Sequence, residues 1–283
     1  MLSQLTAEKT ITAAAPVQSY LRPGKRFPTV WCPGCGIGTV FGTILRTIDG
    51  LGLSKDEVAM VSGIGCTGRM PVYADLPAMH TTHGRALAFA TGLKLAQPGM
   101  TVVVVMGDGD AVGIGGNHFL HAARRNMDLI AIVVNNSIYG MTGGQCSPST
   151  PLAAKTTTSI NGNLDDPIDI AELAAAAGAN FVARGTTYHV VALHKLMEQA
   201  FQRKGFSVIE VVSQCPTHFG RFNGAPSPVE MLKRQRDETV PVTAGGASDK
   251  SGKITRGVLI DRDRAGYVER YRQLMLSAAE GGR

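Results

Sequence analysis

The stretch Thr101-Val102-Val103-Val104-Val105-Met106-Gly107-Asp108-Gly109-Asp110 decides the fold. Its first part is apolar and β-branched without alternation, as expected for a strand buried on both faces of a parallel sheet. The chain then breaks into Gly-Asp-Gly-Asp and a glycine-rich turn, and a helix is predicted from about Asn117 to Arg125. Leu129 to Val134 reads as a second buried strand, ended by Asn135-Asn136. Strand, helix, strand in this order is a βαβ unit with a right-handed crossover.

Working outward, Val58 to Ser62 reads as a short strand ended by Gly63-Ile64-Gly65, and Ser207 to Val212 as a last buried strand before Cys215-Pro216. Helical spacing predicts helices over Gly38–Leu51, Gly84–Ala96, Ile168–Gly178 and Val190–Arg203. The segment from Tyr139 to Pro167 is rich in Thr, Ser, Gly and Pro and reads as a long loop, which in a compact domain is usually functional. The expected architecture is an α/β fold, a parallel sheet covered by helices on both faces. An irregular N-terminal arm (1–30) precedes a central domain (31–225) and a C-terminal extension (226–283). Within that extension, 241–256 resembles a linker and Ala265 to Ala278 an amphipathic helix. There is no internal repeat.

Composition narrows the function classes. Apolar residues make up 44% and charged residues 18% of 283, which is the balance of a soluble globular protein. No window reaches the roughly 18 uninterrupted apolar residues of a membrane span. The N-terminus lacks the basic start and apolar run of a signal peptide, so the expectation is a cytoplasmic protein with no membrane association. The net charge is +6, with much of the excess late in the chain at Lys233, Arg234, Arg236, Arg262, Arg264, Arg270 and Arg272. No basic run is interleaved with aromatics, which argues against nucleic acid. The basic residues read as a solvated face or as a landing site for an acidic partner.

Asp108 and Asn136 each sit just past the C-terminal end of a buried strand, the edge where open α/β sheets bind ligands. A carboxylate and an amide oxygen there suit a hard cation that also takes phosphate oxygens. Two rival patterns fail. Gly113-Ile114-Gly115 opens like a dinucleotide fingerprint, but His118 stands at the third glycine position. Asp108 and Asp110 could open a calcium loop, but its twelfth position is Phe119 where glutamate is needed. Five cysteines do not make a disulfide scaffold. Cys32 and Cys35 can grip one metal centre from one loop, while Cys66 and Cys215 each adjoin a glycine- or proline-marked turn. Spacing alone leaves zinc, an iron–sulfur cluster and a redox thiol pair open.

The order of WCPGCG, SGIGC, HGRALAFATGLK, GDGDAVGIGGNHFLHAARRN, NNSIYGMTGGQ and CPTHFGR over residues 30–225 resembles the β subunit of 2-oxoacid:ferredoxin oxidoreductases, thiamine diphosphate enzymes. The resemblance implies that Asp108 and Asn136 ligate Mg²⁺ by side chain and Ile138 by its carbonyl. It implies that Gly109, Asp110, Gly140 and Met141 line thiamine diphosphate, with Ile64, Gly65, Cys66 and Thr67 on another wall and His83 reaching the cofactor. Cys32, Cys35, Cys66 and Cys215 match four ligands of a [4Fe–4S] cluster, and Cys146 fits no ligand position.

The activity implied is oxidative decarboxylation of a 2-oxoacid with coenzyme A as acyl acceptor, electrons leaving through the cluster to ferredoxin. YGMTGGQ looks more like 2-oxoglutarate or branched-chain members than pyruvate members, although some relatives carry lysine where Gly143 stands. A second substrate carboxylate needs a cation, for which Arg85 is one candidate and an α subunit the other. Taken alone, His83 and Arg85 read equally as structural residues. The glutamate that activates the cofactor's pyrimidine ring has no counterpart in this chain. The resemblance therefore implies activity only with an α subunit, as αβ or (αβ)2. A non-redox thiamine enzyme half with structural zinc is the alternative.

Overall fold

The computed structural model describes residues 16–25, 28–242 and 252–281. The centre is an eight-stranded sheet of β1 (Val58–Ser62), β2 (Ala78–His80), β3 (Thr101–Gly107), β4 (Ile130–Asn135), β5 (Phe181–Thr186), β6 (Ser207–Val212), β7 (Thr239–Pro241) and β8 (Ile254–Asp261). Their spatial order is β2-β1-β3-β4-β6-β5-β8-β7. Every pairing is parallel except β5 with β8.

Val103 and Val105 of β3 join one core cluster, with Ile44 of α1 (Ile37–Gly50) and, further along the chain, Leu193 and Met197 from the helix at Val190–Gln202. Val102 and Val104 join the other, against α2 (Ala86–Ala96), α3 (Gly116–Arg125) and α4 (Ile170–Ala177). The helix Val190–Gln202 is α5, followed by α6 (Pro228–Asp237) and α7 (Tyr267–Gly281). The uninterrupted valine run is thus explained by helices on both faces. Each buried valine contributes about 1.5–3 kcal/mol relative to an exposed one.

Three stretches differ from the sequence expectation. β5, Phe181-Val182-Ala183-Arg184-Gly185-Thr186, carries an arginine and a glycine and gives a weak strand pattern, yet all six residues are buried. The Arg184 guanidinium is neutralised there by Glu210 and Asp169. α6 was hidden by its polar composition, although Ser227 caps it by accepting from the Glu230 amide. The expected linker at 241–256 is a strand at its far end, because β8 begins at Ile254, and most of the rest lies outside the described residues. Residues beyond 225 thus add two strands to the same sheet. Most of the expected N-terminal arm also lies outside the described residues. Its described part forms a short helix, Pro16–Ser19, with Leu21 bridged to Ala74.

Candidate active site

β3 and β4 are neighbours with Gly107 opposite Val134, so Asp108 and Asn136 emerge side by side at the C-terminal edge of the sheet. Asp108 is buried, and its Oδ2 accepts from the hydroxyls of Ser147 at 2.6 Å and Ser149 at 2.5 Å. Burial pushes its pKa up, and the two hydroxyls hold it down. One end of the Asn136 amide lies 3.2 Å from Asp108 Oδ1 and 2.8 Å from the Ile138 carbonyl. With nitrogen at that end, the amide donates to both. With oxygen there, three acceptor oxygens converge, an arrangement that repels unless a cation sits among them. Adjacent oxygen ligands on an octahedral magnesium with 2.0–2.1 Å bonds stand about 3 Å apart. The spacing of the three oxygens therefore fits that ion.

A single pocket is lined by Ile64, Gly65, Cys66, Thr67, His83, Asp108, Gly109, Asp110, Asn136, Ile138, Gly140 and Met141, together with Gly107, Tyr139 and Thr142. Every residue expected to line the cofactor or hold its metal ion is in it. Asp110 Oδ1 accepts from the Gly84 amide at 2.6 Å and meets His83 Nδ1 at 2.5 Å. With Nδ1 carrying the proton toward the carboxylate, Nε2 is the nitrogen free to serve the pocket. Asp110 Oδ2 is buried without a hydrogen-bond partner. Burial raises the pKa of Asp110, and the amides of Gly84 and Ile64 and the His83 ring oppose the rise.

The pocket has a second neighbour. Gly140 presents its bare Cα to two sulfurs: a Cβ there would lie 3.7 Å from Cys215 Sγ and 3.8 Å from Cys66 Sγ. Cys32 and Cys35 complete the group: the charges of Cys215, Cys66 and Cys32 bear on Cys35, and those of Cys215 and Cys32 bear on Cys66. Burial pushes the Cys35 thiol up to about 12 and the Cys66 thiol up to about 11, and raises Cys215 as well. Backbone amides of Ile37, His218 and Phe219 point at Cys35 and Cys215 and favour their thiolates. Among the described residues no three His, Cys, Asp or Glu are set to hold a metal ion directly. Zinc draws four thiolates to about 3.8 Å apart at its 2.3 Å bonds, whereas a cluster spreads them over four iron corners. The Cys32–Cys35 loop is held by Trp31, whose Nε1 donates to the Cys66 carbonyl at 2.8 Å, and by Gln214, whose Nε2 donates to Gly34 O at 3.0 Å.

Arg85, the candidate for the second substrate carboxylate, stands apart from the pocket, as does Cys146, which fits no ligand position. Arg85 is exposed at the start of α2, with Nη1 2.8 Å from His118 Nε2, and does not line the pocket. Cys146 donates its thiol to Asn163 Oδ1 at 3.4 Å in the long loop, away from the other four cysteines. Gly143 has a φ of +115°, where lysine would be strained. Sequence reasoning missed Ser147 and Ser149, which lie about forty residues from the aspartate they serve. It also missed Tyr139, whose hydroxyl donates to the Gly109 carbonyl at 3.3 Å.

This fold and edge-of-sheet pocket define a thiamine-dependent enzyme domain: residues 62–211 match the family model described as thiamine pyrophosphate enzyme, C-terminal TPP binding domain. More narrowly, the chain belongs to the β-subunit family of 2-oxoacid:ferredoxin oxidoreductases, oxidoreductases built from more than one kind of subunit. It is 44% identical over 263 residues to 2-oxoglutarate synthase subunit KorB of Methanocaldococcus jannaschii, covering 92% of this chain and 97% of that one. It is 58% identical over 199 residues to the KorB subunit of Archaeoglobus fulgidus, covering 70% and 74%. A solved 2-oxoglutarate:ferredoxin oxidoreductase from Magnetococcus marinus, with 2-oxoglutarate, coenzyme A and succinyl-CoA bound, superposes with a TM-score of 0.85 at 31% identity. That match covers 96% of this chain and 93% of the other. Among the described residues no helix is long and apolar enough to cross a membrane.

Proposed function

We propose that this chain is the catalytic β subunit of an enzyme that oxidatively decarboxylates 2-oxoglutarate to succinyl-CoA, passing electrons through a [4Fe–4S] cluster on Cys32, Cys35, Cys66 and Cys215 to ferredoxin. The observation that carries the reading is the position of Gly140, which lines the cofactor pocket and faces the sulfurs of Cys66 and Cys215 across a space no side chain fills. An electron acceptor against the wall of the pocket is what separates an oxidative thiamine enzyme from a simple decarboxylase. Thiamine diphosphate supplies an electron sink for loss of carbon dioxide from a 2-oxoacid. Asp108, Asn136 and the Ile138 carbonyl would hold the magnesium that ties down the diphosphate. Asp110 orients His83, leaving Nε2 to hold or move a proton in the pocket. The substrate rests on the names of the relatives and on the ligands of the solved neighbour.

The pocket of this chain contains no glutamate among its described lining residues, which supports an obligate α subunit, in an αβ or (αβ)2 assembly, as the source of the pyrimidine-side contacts. The test is anaerobic co-expression with the α subunit, followed by viologen reduction with coenzyme A and a panel of 2-oxoacids. Coenzyme A-dependent reduction with 2-oxoglutarate, absent from the β chain alone, is the expected result. A preference for pyruvate or branched-chain 2-oxoacids would overturn the substrate. A colourless complex holding zinc would overturn the electron path.

A further inference from the structure

Ser137 stands between two of the residues proposed to hold magnesium, Asn136 and Ile138. Its φ is +61°, a left-handed conformation that a serine adopts only when its surroundings enforce it. That kink turns the Ile138 carbonyl to within 2.8 Å of the Asn136 amide. Asn135 enforces it: its Oδ1 accepts from the Ser137 amide at 3.1 Å. The same oxygen lies 3.0 Å from Ser149 Oγ, the hydroxyl that also reaches Asp108 Oδ2. One carboxamide oxygen thus holds the β4 end directly through the Ser137 amide, and it competes with Asp108 Oδ2 for the single proton of Ser149, which brings it against the β3 end.

A carboxamide can present either end, and what selects the oxygen is buried behind it. Asn135 Nδ2 donates to Glu210 Oε1 at 2.8 Å. Glu210 Oε2 accepts from Arg184 Nε at 2.7 Å, and the Arg184 guanidinium also reaches Asp169. Glu210 and Arg184 are both buried. Buried charges cost free energy unless paired, and once paired their geometry is stiff.

We propose that Asn135, oriented by the buried Glu210–Arg184 pair, is the positioning residue of the magnesium site. The proposal rests on the cofactor site described above. It predicts that Glu210 influences magnesium only through Asn135.

The test is magnesium binding rather than activity. The co-expressed complex is stripped of cofactor by chelation, then titrated with magnesium at saturating thiamine diphosphate by calorimetry. Outer-shell partners of metal ligands typically contribute 10–100-fold in metal affinity. Asn135→Ala should weaken magnesium on the order of 10-fold, and Glu210→Gln several-fold. In the Asn135→Ala background, Glu210→Gln should have no further effect, because the shared path is already cut. Thermal melting of the stripped complex reports the purely structural cost of each change, and Asp108→Asn is the control that should abolish binding. If Asp108→Asn binds magnesium normally, the cofactor-site reading itself fails. If that control behaves but Asn135→Ala binds like the wild type, or the two substitutions multiply in the cycle, the positioning role is overturned.

Discussion

The oxygen side of the pocket and its sulfur side are built differently. Asp108 and Asn136 follow two adjacent strands, so the register of one sheet places them, and each is fixed by neighbours on the same edge. The four cysteines come from the loop before α1, the turn after β1 and the turn after β6, and they meet only when distant segments pack. The sulfur side also leans on residues beyond 225: Pro228 of α6 packs against Gly34 in the Cys32–Cys35 loop. The contrast is between a site set by local pairing and one set by tertiary assembly, and the two should fail separately.

The largest test of that separation is a pair of all-or-none substitutions. Asp108→Asn should remove measurable magnesium-dependent thiamine diphosphate binding while leaving the cluster's visible absorbance intact. Cys215→Ser should do the reverse, losing the absorbance and viologen reduction but retaining cofactor released on denaturation. If either variant lost both, the two sides would be one folding unit and the comparison would collapse.

A smaller effect is expected where the sides touch. At Gly140 a lone Cβ would already be in van der Waals contact with two sulfurs, at 3.7 and 3.8 Å, so the two further methyls of Gly140→Val must crowd the sulfurs or the cofactor pocket. Overfilling a packed site costs typically 1–3 kcal/mol, so cofactor affinity and iron content should both fall, neither to zero. Iron content per complex and calorimetric cofactor binding measure the two independently. A change confined to one of them would move Gly140 off the shared wall.

Gly34→Ala probes the tertiary support alone. Gly34 has a φ of +78°, and a Cβ there would lie 2.3 Å from Pro228 Cγ, so α6 must shift. The expected cost is about 1–3 kcal/mol, read as a lower melting temperature and faster loss of the cluster in air. Cofactor binding should be unchanged, because the oxygen side does not rest on α6.

The same contrast explains what the sequence disclosed. The GDG and Asn-Asn pair was legible because a strand's end is visible in an apolar run, and parallel pairing then leaves little freedom over where Asp108 and Asn136 point. The cysteines were legible as ligands only through resemblance, since their spacing fits three chemistries. Ser147, Ser149, Asn135 and Glu210 left no signal as a group. Each is an ordinary polar residue with a partner 14 to 75 positions away, and the one local bond, from the Ser137 amide to Asn135 Oδ1, is a turn contact that the sequence does not announce. β5 was missed because Arg184 breaks the apolar pattern that usually marks a buried strand. Its burial depends on Glu210, which the pattern of one strand cannot show.

The smallest expected effect bears on whether the oxygen side is complete in this chain. Arg85 was the chain's own candidate for the second carboxylate of 2-oxoglutarate. It is exposed, contacts His118 and stands outside the pocket lining. Truncating a side chain that does not touch the substrate removes no binding interaction with it. Arg85→Ala should therefore leave the KM for 2-oxoglutarate within about two-fold of the wild type in the assembled enzyme, with kcat unchanged. Recognition of the distal carboxylate would then fall to a cation from the α subunit. A KM raised tenfold or more for 2-oxoglutarate, but not for a monocarboxylic 2-oxoacid, would instead place the Arg85 guanidinium on the substrate. The oxygen side would then carry specificity as well as the cofactor's anchor.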